Sequence, residues 1–297
     1  MKVRIVLTGV CVGALGLTGC GGGGGGGAEP AAAGSPEAVA AVRAATATTI
    51  AAGSSRTKTT MTMESGGRSV TLNGEGLFDY SRRVGTVSLE VPKDSGLTGP
   101  LQEIVTPEAL YMKNASPGIP ADKWVRIDAN GLADGNLISG GSADPTTSFE
   151  ILRGVNDDVR QIGVEKLGDA QVRHFKGTLD IRKAHDATPE NRRAPLAAAL
   201  KSFSSTTIPF EVYLDDQGRL RKVQEEFNLA PGGAPAGKDA KGQTAKVVSA
   251  AELYDFGVPV QVQQPRPEDL YVAPSAQKPP AAAAPPSSSA SPTGRKP

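Results

Sequence analysis

The sequence predicts an α+β fold built on one large antiparallel sheet with few helices. Three observations lead there. Apolar residues recur mostly with period two: Val87, Leu89 and Val91 alternate with Thr86, Ser88 and Glu90, and Phe210, Val212 and Leu214 with Glu211, Tyr213 and Asp215. Many such stretches follow one another through short connections, as antiparallel strands do. Helical stretches are few, and they open at Pro36, Pro145 and Pro189, the residue best tolerated in a first helical turn.

In chain order, a first helix is expected over residues 36–52, alanine-rich, with Ser35 as N-cap and a stop at Gly53. Strands follow over 56–64, over 69–78, along the stretch bearing Val87, Leu89 and Val91, and over 109–113 and 124–127. A second helix begins at Asp144-Pro145, carries Phe149, Ile151, Leu152 and Val155, and ends at or before a kink around Gly154. One strand over 172–181 leads to a third helix over 189–203, capped by Thr188. Its Leu196, Leu200 and Phe203 at i, i+4 and i+7 share one face. The last strands cover 210–215, 220–229 and 245–256. Gly218 of Asp215-Asp216-Gln217-Gly218 supplies the positive φ that closes the hairpin between the first two.

The two ends read differently. Lys2 and Arg4 precede an apolar run over residues 5–17, and Leu17-Thr18-Gly19-Cys20 resembles the lipobox of bacterial lipoprotein precursors. At 1.5 Å rise per residue the run spans roughly 20 Å, short of the ~30 Å hydrocarbon core of a bilayer. The resemblance implies a signal peptide over 1–19, cleavage before Cys20 and diacylglycerol and palmitate chains on Cys20, which place the mature chain on the outer face of the cell membrane. Residues 20–35, dominated by glycine, then form a flexible tether. The folded domain is expected over 36–273, and residues 274–297, rich in Pro, Ala and Ser, form a disordered tail. Cys11 falls in the signal peptide and Cys20 is consumed by lipidation, so no disulfide is available and the domain depends on its apolar core. Losing Lys2 and Arg4 lowers the formal charge from +1 to −1, which gives no electrostatic case for nucleic acid.

The chain resembles the actinobacterial lipoproteins of the LppX/LprA/LprF/LprG family, related in fold to the LolA and LolB carriers. The resemblance rests on the lipobox, on the meander over 56–91, and on Glu108-Ala109-Leu110-Tyr111-Met112-Lys113 with Lys123-Trp124-Val125-Arg126-Ile127. It continues through Val172-Arg173-His174-Phe175-Lys176-Gly177-Thr178-Leu179-Asp180 and the hairpin over 209–227, and covers most of 36–256. It implies a strongly curved antiparallel half-barrel sheet with a few helices covering the concave face and an apolar cavity between them. The family's function implies that the cavity binds, and carries, a lipid or acylated glycolipid. Val87, Leu89 and Val91 on the sheet and Leu196, Leu200 and Phe203 on the third helix are expected to line it. The alternative is a cell-envelope scaffold or sensor acting on a protein partner without a ligand. The resemblance does not extend to the Gly/Pro/Ala insertion over 231–242 or to the tail.

No catalytic constellation, metal site or cofactor motif emerges. His174 lies in a strand pattern, and His185-Asp186 lacks a nucleophile elbow: Gly140-Gly141-Ser142-Ala143-Asp144 has no second glycine in register. Two histidines without cysteine partners make a poor zinc site. The adjacent pairs Asp157-Asp158 and Asp215-Asp216 fall at expected turns or helix starts. Arg82-Arg83 and Arg192-Arg193 are expected to face solvent, or else anionic head groups.

Overall fold

A computed structural model describes residues 34–93, 96–97, 99–128, 144–229 and 245–272. Cys20, the glycine tether, Ser142, the 231–242 insertion and the tail lie outside the described residues. Eleven strands occur among those described: β1 (Ser54–Ser65), β2 (Arg68–Asp79), β3 (Val84–Glu90), β4 (Leu101–Val105), β5 (Ala109–Lys113), β6 (Trp124–Asp128), β7 (Arg160–Leu167), β8 (Ala170–Asp180), β9 (Thr207–Leu214), β10 (Leu220–Leu229) and β11 (Ala245–Tyr254). The helices are α1 (Pro36–Ala51), α2 (Pro145–Ile151), α3 (Ile181–Ala187) and α4 (Ala194–Ser202).

All eleven strands form one open sheet in the order β6-β5-β4-β3-β2-β1-β11-β10-β9-β8-β7, with every neighbouring pair antiparallel. The first six strands meander to one side, the last five to the other, and β1 pairs with β11 between the two halves. This is the α+β curved half-barrel, and α1 to α4 pack in one core on its concave face. Val42, Ala45, Phe149, Ile151, Ile181, Ala184, Leu196 and Ala199 from the helices meet Val87, Phe175, Val212, Phe227 and Val247 from the strands there. A second, smaller cluster lies on the other face, where Val262 and Leu270 of the C-terminal segment cover Ile104, Ala109, Tyr111 and Trp124.

Helix starts follow capping chemistry. Ser35 Oγ accepts from the Ala38 N–H at 3.2 Å, and Asp144 accepts from the Thr146 N–H at 2.9 Å. Gly218 takes φ 77° in the β9–β10 turn, whose Asp215 carboxylate accepts from the N–H groups of Gln217 and Arg219.

Three expectations need correction. Two strands, β7 and β8, stand between the second and third helical regions where one was expected. β4 was also missed: its odd residues face the main core while Ile104 is covered from the other side, which erases the alternation. β7 is exposed on both faces at the sheet edge and so carries no apolar period. The expected helix over 189–203 is the shorter α4, and a separate, unexpected helix, α3, precedes it. α3 starts at Ile181 on an Asp180 cap, Thr188 closes its C-terminus by donating to the Ala184 carbonyl at 2.7 Å, and a 3-10 turn over Glu190–Arg192 precedes α4. Pro195 cannot sit in a helix interior, so α4 begins beside it.

Candidate functional site

Between the helices and one end of the sheet lies a cavity of about 360 Å³. Five separate pieces of chain enclose it. Ile50 comes from the end of α1, Tyr80 from the turn after β2, and Val105 to Leu110 from the β4–β5 turn. Thr146, Thr147 and Glu150 come from α2, and Ala194 to Leu196 from the start of α4. The inner wall is apolar and buried: Tyr80, Val105, Ala109, Leu110 and Leu196 are each below one tenth exposed. Four charged side chains also line it: Arg83 and Arg192 are partly exposed, whereas Asp144 and Glu150 are largely buried.

Local chemistry fixes each wall. The Thr106 hydroxyl accepts from the Ala109 N–H at 3.1 Å and donates to the Ala109 carbonyl at 3.0 Å, which clamps the β4–β5 turn. Tyr80 shares a 2.6 Å hydrogen bond with the Ser55 hydroxyl, its ring lies 5.9 Å from Phe78 and 5.8 Å from Phe149, and burial pushes its phenol well above the usual range. Arg83 Nη2 donates to Asp144 Oδ2 at 3.3 Å. Glu150 accepts from Arg153 Nε and Arg192 Nη1, both at 2.5 Å.

The arginine pairs stay partly open to solvent, as expected, while the fold holds them. Arg82 donates to Asp79 and to the Val260 carbonyl, and Arg193 to the carbonyls of Thr188 and Asp186, so all four guanidiniums are held by the fold.

Two buried carboxyls lie on the concave side of the sheet. Glu225 on β10 accepts from the Ser148 hydroxyl of α2, and its other oxygen has no partner. Burial pushes this carboxyl up to about 8, against the opposing effect of Ser148. Glu103 on β4 sits across from Val87 and Met112, its Oε2 unpartnered, and burial alone pushes it up to about 8.

Of the six residues expected to line a cavity, Leu196 lines this one. Val87 and Leu89 are buried over glycines of β2: a Cβ on Gly76 would lie 2.7 Å from Val87, and one on Gly74 2.6 Å from Leu89. Val91 and Leu200 pack half-buried against the main core. Phe203 stacks on Phe227 with 5.1 Å between ring centroids. The other walls were not anticipated, because they come from element ends and turns where periodicity carries no signal.

The remaining titratable groups are placed as follows. His174 is on the outer sheet face, 2.9 Å from Glu165 and 3.1 Å from Glu211, stacked on Tyr213. His185 contacts Asp186 at the end of α3. Asp158 accepts from the Thr178 N–H and hydroxyl, and Asp157 lies 3.7 Å from Arg43. Among the described residues no group of three or more His, Cys, Asp or Glu could hold a metal ion, and no helix is long and apolar enough to cross a membrane.

No family model and no curated protein matches the chain. Solved structures similar to it include LprF from Mycobacterium bovis, at 13% identity and TM-score 0.44, covering 78% of this chain and 99% of that one. Lipoprotein LppX from Mycobacterium tuberculosis is similar at 10% identity and TM-score 0.48, covering 77% and 99% respectively. A LolA superfamily protein from Nitrosomonas europaea is similar at 10% identity and TM-score 0.32, covering 75% and 94%.

Proposed function

We propose that this chain is a membrane-anchored extracytoplasmic lipoprotein, attached through Cys20, whose folded domain binds and carries a lipid or acylated glycolipid. The observation that supports it is the cavity: a pocket beneath helices on a concave sheet, with an apolar wall of buried Val105, Ala109, Leu110 and Leu196 beside the ion pairs Arg83–Asp144 and Arg192–Glu150. Its volume of about 360 Å³ falls within the range of small-molecule sites. A hydrocarbon chain entering it leaves water at about 0.8 kcal/mol per methylene. Ten such groups offset the entropic cost of association, taken near the lower limit of about 4 kcal/mol, and leave net binding.

One feature favours the alternative of an envelope scaffold acting through protein contacts. Edge strand β7 exposes Ile162 and Val164, and a sheet edge is a ready template for a partner's strand. Organic extraction and mass spectrometry of the full chain carrying Cys20→Ala, purified without detergent, separates the two readings. A carrier yields host lipid in stoichiometric amount; a scaffold yields none and takes up none on incubation.

A further inference from the structure

We infer that the cavity takes a single-chain amphiphile with an anionic head group, its chain against the β4–β5 turn and α4, its head group on Arg83 and Arg192. This rests on the lipid-binding reading above and narrows it. Size sets the first limit. At about 30 Å³ for a group the size of a water, which a methylene roughly matches, the cavity holds about a dozen such groups. That matches one chain of medium length.

The rim sets the head group, because its ion pairs are layered. The Asp144 side chain is 4% exposed and that of Glu150 12%, whereas Arg83 and Arg192 are 42% and 35% exposed. The carboxylates therefore face inward and the guanidiniums outward. The acceptors are also occupied: Asp144 Oδ1 takes the Thr146 N–H and hydroxyl and Oδ2 takes Arg83, while the two oxygens of Glu150 take Arg153 and Arg192. Each guanidinium carries five N–H donors, and the hydrogen bonds described at the rim use one nitrogen each of Arg83 and Arg192. A head group arriving at the mouth meets unspent guanidinium donors outermost, with the carboxylates already engaged behind them. The planar fork of arginine suits carboxylate and phosphate alike.

The backbone adds an independent sign. Arg83 is held at φ 53°, a left-handed conformation that costs a residue with a Cβ and that glycine or asparagine would adopt more cheaply. The strained residue is the one whose side chain stands at the rim.

The test is calorimetric titration of the full chain carrying Cys20→Ala, stripped of co-purified lipid, with twelve-carbon probes below their micelle concentrations. Dodecanoate and dodecyl phosphate share the anionic chemistry, and their ranking distinguishes a fatty-acid source from a phospholipid-derived one. Either should bind at least about ten-fold more tightly than monododecanoylglycerol or dodecyltrimethylammonium, as loss of a charge-assisted hydrogen bond predicts. The Arg83→Gln/Arg192→Gln variant should lose that preference while keeping its affinity for the neutral probe. Arg83→Lys/Arg192→Lys should retain most of the preference, and answers the question if the glutamine pair fails to fold. Equal binding of neutral, cationic and anionic probes would overturn the head-group assignment. Binding of a two-chain phospholipid but of no single-chain probe would overturn the size assignment; in both cases the lipid-binding reading survives. Binding of none of these would remove that reading and the present inference together.

Discussion

The Ser148 hydroxyl on α2 donates to Glu225 Oε2 on β10 at 2.9 Å, and both side chains are buried. Across the sheet Glu225 faces Phe210 and Ser249, neither of them charged, so the carboxyl holds its proton far above the usual carboxylate range. The bond ties the sheet to the short helix whose Thr146, Thr147 and Glu150 form one wall of the cavity.

Stability is therefore expected to fall as pH rises from about 5 to about 8. In that window the unfolded chain has ionised Glu103 and Glu225 from near 4.5, while the folded chain keeps both protons until about 8. The folded state binds more protons, so its advantage is complete below 4.5 and declines by up to about 1.4 kcal/mol per pH unit for each group. The carboxyls held below their usual values, Glu37, Asp79, Glu211 and Asp269, titrate at lower pH. Denaturant unfolding at pH 5, 6.5 and 8 checks this, and Glu225→Gln should flatten the slope. Stability that rises across the window would contradict the burial argument.

Gly76→Ala should destabilise the domain by about 1–3 kcal/mol through overpacking. Its new Cβ would lie 2.2 Å from the Thr86 carbonyl oxygen, a backbone atom that cannot step aside, and 2.7 Å from Val87. Gly163→Ala on the edge strand is the control: no atom lies within 4 Å, so thermal melts should show little change or a slight gain.

Truncations should separate closed core from cavity wall. Leu179→Ala, in fully buried packing, is expected near the upper end of the 2–5 kcal/mol scale for buried leucine, about 4 kcal/mol. Leu196→Ala opens into space that already exists and should cost about 2 kcal/mol. It should also lengthen the preferred ligand chain. Equal losses in urea unfolding would place Leu196 in closed core.

The strands with one dry and one wet face were legible because alternation records that difference directly. Phe210, Val212 and Leu214 on β9 and the Gly218 turn are examples. Ser35, Pro36, Asp144 and Pro145 announced their helix starts through capping chemistry. β4 and β7 were hidden for opposite reasons, one covered on both faces and the other on neither. The cavity was least legible. Tyr80, the turn bearing Thr106 and Leu110, and Thr147 come from three pieces of chain far apart in sequence, and no local period links them. The rim pairs Arg83–Asp144 and Arg192–Glu150 join residues 61 and 42 positions apart, which charge patterning along the sequence does not reveal.

Cys20→Ala should release the chain from the membrane fraction or stall it as precursor, since buried acyl chains at about 0.8 kcal/mol per methylene supply the attachment. Metabolic labelling with an alkyne fatty acid should mark the wild-type chain alone. Equal labelling of both would exclude Cys20 as the lipidated residue.

The central claim is that the cavity beside Leu110 and Leu196 is where the lipid sits. Native mass spectrometry of the full chain carrying Cys20→Ala, with and without Leu110→Trp, tests it most directly, because the indole occupies the space a chain would fill. About one bound lipid per molecule is expected without the tryptophan and none with it, at a melting temperature lowered by no more than a few degrees. A folded Leu110→Trp protein carrying the full lipid load, or a Cys20→Ala chain that neither carries nor takes up lipid, would contradict it.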